Sequence, residues 1–175
     1  MSFATFFAAI ETPGLREVAR HWDAARGDKR MPAWKDLDPL AIAPQLSLIW
    51  SWKYDRESDR FTGRLAGEQI TAAFGKDLRG ADMAEFFAGM HYEAIFARHR
   101  RVVVEPCFAH GRGRVFIHAG RYGKGERIIM PLAEDGINGD GIFGATFYRT
   151  EPELVGPEPP GIALAAEEVE FFALD

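Results

Sequence analysis

Two side chains of this sequence, the single cysteine Cys107 and the nearby His118, have the types and the spacing for redox chemistry. If Arg112-Gly113 forms a two-residue turn between strands, antiparallel pairing places Cys107 opposite His118, with Cβ atoms roughly 4.5–5.5 Å apart. An imidazole beside a thiol can lower the thiol pKa and make it sensitive to oxidation. The same spacing also fits an ordinary cross-strand neighbour pair, and we prefer that interpretation.

A second group of residues could line a binding pocket. Aromatic side chains dominate it, and most apolar stripes of this kind simply fill a protein core. An apolar cavity with a few polar groups is nevertheless the usual form of a small-molecule site. The candidate pocket residues are Arg64, Phe74, Phe86, Phe96, Phe108 and Phe147.

Catalytic motifs are missing from the sequence. It contains no nucleophile-elbow motif, no phosphate-binding glycine loop and no His-Glu-x-x-His zinc motif. The glycine pairs around Arg112 and Lys124 are typical of hairpin turns. We therefore expect a binding protein rather than an enzyme.

Composition and charge restrict the class of protein further. A chain of 175 residues, 47% of them hydrophobic, can bury one substantial core, and a single cysteine excludes an internal disulfide. The sequence has neither a signal peptide nor an apolar run long enough to span a membrane, so we expect a cytoplasmic protein. Residues 151–175 hold seven acidic side chains and no Lys or Arg, so subtracting −7 from the total of −5 leaves +2 for residues 1–150. This distribution argues against a nucleic-acid partner.

The elements that position these side chains alternate in type along the chain. Thr12-Pro13 begins an amphipathic helix that Gly27 ends. Period-two patterns predict a hairpin of strands over 48–54 and 61–66. Helices follow over 68–74 and within 83–101.

The second half of the chain is predominantly β. Four short strands are predicted, over 102–110, 115–122, 127–133 and 142–148, separated by glycine-rich turns. A proline-rich linker and a final acidic helix over 162–174 complete the chain. The order of elements predicts an α+β fold in which helices cover one face of a curved antiparallel sheet.

Several local motifs, taken in order, resemble a known family. They are Trp22, Arg26-Gly27, Pro32 and Asp36-Leu37-Asp38-Pro39, then Arg64-Leu65-Ala66-Gly67, Phe74-Gly75-Lys76-Asp77-Leu78-Arg79-Gly80, and Pro131-Leu132. In this order and spacing, over roughly residues 14–149, the chain resembles the single-domain PAS proteins of alphaproteobacteria. The resemblance implies a PAS-like five-stranded antiparallel sheet with helices cupping one face, and a sensory or protein-docking role, in some members towards histidine kinases in trans.

On this basis the chain divides into an N-terminal helical segment over 1–30, a PAS-like domain over 31–150 and an acidic tail over 151–175. The expected partners are a signalling protein and a small apolar ligand. No cofactor is assigned. In flavin-binding relatives the reactive cysteine lies in a helical motif, whereas Cys107 lies on a predicted strand. A haem would need a His directed into the cavity, and an isolated His is usually structural.

Two further expectations concern assembly and the competing fold. The apolar stripes before residue 27 exceed what one small sheet needs as a cap, which predicts a homodimer. The competing class is the cone-shaped (NTF2-like) α+β fold of small isomerases and dehydratases. In that fold long helices precede the sheet, whereas here a hairpin precedes the middle helices.

Overall fold

Six antiparallel strands form one sheet in the computed structural model, which describes residues 3–88, 92–118, 121–155 and 167–174. Neighbouring strands follow the order β2-β1-β5-β4-β3-β6, so the first hairpin and the C-terminal strand lie at opposite edges. The strands are β1 Ile49–Asp55, β2 Arg60–Ala66, β3 Cys107–His118, β4 Arg121–Leu132, β5 Gly141–Val155 and β6 Glu167–Ala173.

Helices cover both faces of this sheet. The predicted N-terminal helix is confirmed: Pro13 occupies its first turn, and Gly27 follows its last residue with a φ of 54°. The predicted helix over 68–74 is also confirmed, and Gly75 ends it in the left-handed conformation. The α-helices are α1 Phe3–Ala9, α2 Pro13–Arg26, α3 Glu68–Phe74, α4 Met83–Phe86 and α5 Tyr92–Val104, with 3₁₀ segments at Trp34–Asp36 and Pro39–Leu48.

Alternation along the strands divides the interior into two cores. On β4, Ile128 and Met130 point to the face covered by α1 and α2, which we call the N-terminal face. Ile129 points to the face covered by α3, α4 and α5, which we call the cup face. The sheet is therefore buried on both sides. The sequence analysis predicts helices on one face only, and this prediction is wrong, because the described helices cover both faces.

The predicted turn at Arg112-Gly113 is wrong. Pairing continues along a single long strand β3, in which Gly113, with a φ of 103°, lies beside a register shift that ends at Phe116. Cys107 pairs with Ala173 and His118 with Arg121, so the two predicted redox partners lie at opposite ends of β3. They lie eleven positions apart along the strand, a distance of roughly 35 Å, which excludes a coupled pair.

The acidic C-terminal segment is a strand rather than the predicted helix. Along β6, Val169 and Phe171 pack against the cup core while Glu168 and Glu170 are exposed, a period of two. β6 pairs with β3 from Cys107 to Gly113 and makes the sheet six-stranded instead of five-stranded. The first residues of the predicted linker, up to Val155, continue β5; the rest of it lies outside the described residues.

The N-terminal aromatic residues pack inside the chain. Phe6 and Trp22 are fully buried, and Phe3 and Phe7 pack against the same core. The prediction of a homodimer thus loses the observation on which it was based. No helix in the described ranges is long and apolar enough to cross a membrane.

Candidate functional site

A group of polar side chains is buried in the cup face, between α5 and the adjoining strands. Strand alternation brings Arg127, Thr146 and Glu167 to this face, on β4, β5 and β6. Arg98 reaches it from α5, where it lies one turn after Ile95 and one turn before Val102, both buried. We call Arg98, Arg127, Thr146, Tyr148 and Glu167 the polar cluster.

Glu167 lies at the centre of the polar cluster. Arg98 Nη1 donates to its Oε2 at 2.7 Å, and Arg127 Nη1 lies 3.1 Å from both carboxylate oxygens. The Glu167 side chain is 2% exposed, so both ion pairs are shielded from solvent. Gly111 on β3 makes room for this carboxylate, because a Cβ atom there would lie 2.3 Å from Glu167 Oε1.

Thr146 connects the polar cluster to the aromatic core. Its hydroxyl oxygen accepts a hydrogen bond from Trp50 Nε1 at 2.9 Å and a longer one from Arg127 Nε at 3.3 Å. The Trp50 indole lies across Gly144, where a Cβ atom would come within 2.3 Å of the ring. A glycine at this position is therefore needed for the indole to reach Thr146.

The cluster contains more positive than negative charge. Two guanidinium groups face one carboxylate, and Arg98 Nε is buried with no hydrogen-bond partner among the described residues. Burial and the neighbouring Arg127 charge lower the pKa of Arg98, against the opposing effect of Glu167. Burial likewise raises the pKa of Tyr148, which Arg127 partly offsets.

His99, also on α5, is buried beside the polar cluster. Its Nδ1–H donates to the Ile95 carbonyl at 2.6 Å, and its ring centroid lies 5.4 Å from that of Trp50. Burial, assisted by the Arg98 charge, holds the pKa of His99 well below its usual value. Within the described part of the chain, no three His, Cys, Asp or Glu residues are grouped as metal ligands.

A cleft of about 380 Å³ opens between α5 and β6, beside the polar cluster. Arg98 and Glu167 line its polar side, and Ile95, Val169 and Phe171 line its apolar side. At its rim the Arg101 guanidinium lies over the Phe171 ring, 4.0 Å from the centroid. The cleft therefore combines an apolar wall with buried charge, as ligand sites commonly do.

The six predicted pocket residues do not form one pocket. Phe74, Phe86 and Phe96 gather on the cup face, where the rings of Phe74 and Phe86 lie 5.2 Å apart. Phe108 and Phe147 belong to the N-terminal face, and Phe108 stacks on Phe6 beneath α1. The strand pattern shows that side chains alternate between the two faces. Because helices also cover the N-terminal face, Phe108 and Phe147 are buried there and not in the cup.

Arg64 lies away from the polar cluster. Ser51 pairs with Leu65 and Trp52 with Gly63, so Arg64 is the extra residue of a β-bulge. Its guanidinium lies 4.8 Å from the Trp34 ring centroid. This cation–π contact with a residue packed against the N-terminal core gives Arg64 a structural role rather than a place in the cup.

Cys107 is buried at the N-terminal end of β3. Burial raises its pKa to about 11, the reverse of the activation that a redox site requires.

The residues that sequence reasoning missed are Arg98, which lies in a basic run explained by the helix dipole, and Glu167, which lies in the predicted helix. Arg127 was detectable, since it shares the strand parity of the buried Ile129.

The chain is thus an α+β domain in which short helices cup buried polar groups on one face of an antiparallel sheet, beside a cleft. A family model described as PAS domain matches residues 10–147, so the chain belongs to the PAS domain family. No curated protein matches the chain. Both α1 and β6, and therefore Glu167, lie outside the matched residues.

Proposed function

We propose that this chain is a cytoplasmic sensory or signalling module that binds a small ligand in its cup and docks a signalling protein, such as a histidine kinase, in trans. The polar cluster beside the cleft is the observation that carries the proposal. We propose further that the chain works by binding and not by catalysis.

A purely structural role explains the polar cluster poorly. Removing ions from water costs several kcal/mol each, and apolar residues of similar volume usually stabilise a core at least as well as a buried ion pair. Perturbed ionisable groups beside a cleft are more typical of binding sites than of plain cores. Arg98 meets this description, since burial lowers its pKa and it contacts Glu167 beside the cleft.

Docking is supported by family membership and by the position of β6. PAS domains are sensory or protein-docking modules, and the match covers most of this chain. Among the described strands, β6 is joined to the sheet on one side only, and it contributes Glu167 to the cluster. A ligand bound beside Glu167 would therefore change the packing of an edge strand. A protein that binds at this edge would respond to the change.

Native mass spectrometry of the freshly purified chain tests the ligand-binding half of the proposal. We expect a small-molecule mass that is retained on the folded protein and lost on denaturation. Arg127→Gln should lower the retained fraction, whereas Arg20→Gln, at an exposed position on α2, should not.

Cross-linking in cells tests the docking half. We expect a signalling kinase to be recovered with the intact chain. A bare polypeptide mass together with no cross-linked kinase would contradict the proposal, as would turnover of a small carbonyl substrate.

A further inference from the structure

We infer that the outer edge of β6 binds an extended segment of a partner protein by β-strand addition, and that this segment alternates basic with apolar residues. The inference rests on the proposed function and specifies where and how the signalling partner docks.

The two edges of the sheet differ in what lies beyond them. At the β2 edge, Gly63 N–H donates to the Ala81 carbonyl at 2.9 Å, and the Gly63 carbonyl accepts from Gly80 N–H at 2.8 Å, so the segment between α3 and α4 covers this edge. At the opposite edge, β6 pairs with β3 alone among the described strands. Every second residue of an edge strand directs its backbone N–H and C=O groups away from the sheet, where an added strand can bind them.

The sequence of β6 suits it to accept another strand. Edge strands are usually protected by proline, lysine or a bulge, but β6 contains no proline or lysine and pairs with β3 without a register shift. On the cup face, Val169 and Phe171 are only partly buried and line the cleft beside α5. Apolar side chains of an added strand would cover these two residues and remove them from water.

The charge on the other face of β6 selects the partner. Glu168 and Glu170 are exposed there, and neither forms an ion pair with another described residue. Arg112, which pairs with Glu168 across the strands, donates instead to Glu11 at 2.9 Å. Lys or Arg residues at the facing positions of an added strand would compensate both glutamates. A second copy of this chain, pairing antiparallel through its own β6, would instead bring the glutamates of both copies together.

Titration of the full chain with a labelled synthetic peptide, followed by fluorescence anisotropy, tests the inference. The probe is a capped peptide of four Lys-Val repeats, and we expect it to bind saturably. A peptide of four Glu-Val repeats should bind at least about tenfold more weakly, because like charges would face Glu168 and Glu170. Only one edge of the probe can pair with β6. N-methylation of all its Lys residues, or of all its Val residues, should therefore abolish binding in one case and not in the other.

Charge reversal on the protein gives the complementary test. The double variant Glu168→Lys/Glu170→Lys should bind the Lys-Val peptide about tenfold more weakly than the wild type and should bind the Glu-Val peptide more tightly. Glu57→Lys/Glu85→Lys is the control matched in charge, at exposed positions away from β6, and should bind as the wild type does.

No saturable binding of the Lys-Val peptide, equal binding of the two peptides, or equal effects of the two N-methylations would each overturn the inference. A dimer of the full chain that the Lys-Val peptide dissociates, seen by sedimentation, would assign this edge to a second copy and also overturn it. The peptide comparisons use only wild-type protein, so they decide the question even if a variant fails to fold. A kinase cross-linked in cells to a chain that does not bind the peptide would leave the docking role standing while excluding strand addition at β6.

Discussion

At the scale of single residues, the carboxylate of Glu126 joins the start of α2 to the N-terminal face of the sheet. It accepts hydrogen bonds from the backbone N–H groups of Glu11 and Thr12, at 2.7 and 2.6 Å, and from His110 Nε2 at 2.7 Å. The Thr12 side chain does not cap the helix, so a residue distant in sequence satisfies this terminus. A negative charge at a helix N-terminus also interacts favourably with the helix dipole.

Glu126 should make stability depend on pH. Burial alone would raise its pKa, but the hydrogen bonds from His110, Thr12 and Glu11 outweigh burial and lower the pKa to about 2 from 4.5. Because the folded-state pKa is the lower one, the stabilisation is fully present above about pH 4.5 and is lost as the pH falls towards 2. We expect Glu126→Gln to lose about 2 kcal/mol of unfolding free energy at pH 7 and to flatten this acid dependence.

Denaturant unfolding of both proteins between pH 2 and 7 measures the effect. Glu57→Gln, an exposed change in the β1–β2 turn, is the control and should leave the acid dependence unaltered. Parallel pH profiles for wild type and Glu126→Gln would show that the carboxylate does not hold α2 to the sheet.

Cys107 should be an unreactive thiol in the folded protein. With a pKa of about 11, only a very small fraction is thiolate near neutral pH, and the buried sulfur is poorly accessible. We expect alkylation by iodoacetamide to be slow for the native chain and fast after unfolding in guanidinium chloride. An apparent thiol pKa at or below the free value of about 8.5 would contradict this.

At the scale of secondary-structure elements, β6 is held to the sheet by backbone hydrogen bonds to β3 and by the ion pairs of Glu167. It adds an edge to β3 over seven residue pairs, and Glu167 inserts between Arg98 and Arg127. The cup is therefore completed by a segment outside the region that defines the family.

Removing the Glu167 charge should cost much of the stability that β6 provides. Glu167→Gln removes the carboxylate charge that both buried guanidinium groups contact, and we expect a loss of about 3 kcal/mol. Glu168→Gln, one position along the same strand and exposed, should change the unfolding free energy by less than about 0.5 kcal/mol. Thermal and denaturant unfolding compare the stability of the two variants. Equal losses of unfolding free energy would show that the buried ion pairs of Glu167 do not stabilise β6.

At the scale of the whole molecule, one sheet separates two cores. Each strand between the edges contributes alternate side chains to both cores, so the loss of either core would expose one face of the shared sheet. Adjacent positions on β4 show this directly, since Ile128 is buried against α1 and α2, and Ile129 against the helices of the cup.

Unfolding should consequently be a single cooperative transition. We expect Ile128→Ala and Ile129→Ala each to destabilise the chain by about 2–5 kcal/mol. Tryptophan fluorescence and far-ultraviolet circular dichroism should report coincident denaturation curves for wild type and both variants. Two separated transitions, or a loss for only one variant, would show that the two cores are independent.

The sequence by itself determined the elements whose signals are local. The first-turn proline and apolar spacing predict α2, alternation predicts the β1–β2 hairpin, and Gly75 marks the end of α3. The ordered motifs also placed the chain in its family, which the comparison confirms. Periodicity and end signals depend on neighbours a few positions apart, so a single sequence reveals them.

Only the tertiary structure decided which residues meet. Arg98 and Glu167 lie 69 positions apart, and whether the acidic tail is a helix or a strand depends on the free edge of β3. The side on which Phe108 is buried depends on the presence of a second helical layer. Strand pairing and layer packing are settled by contacts between distant segments, and the pattern within any one segment fits more than one of those arrangements.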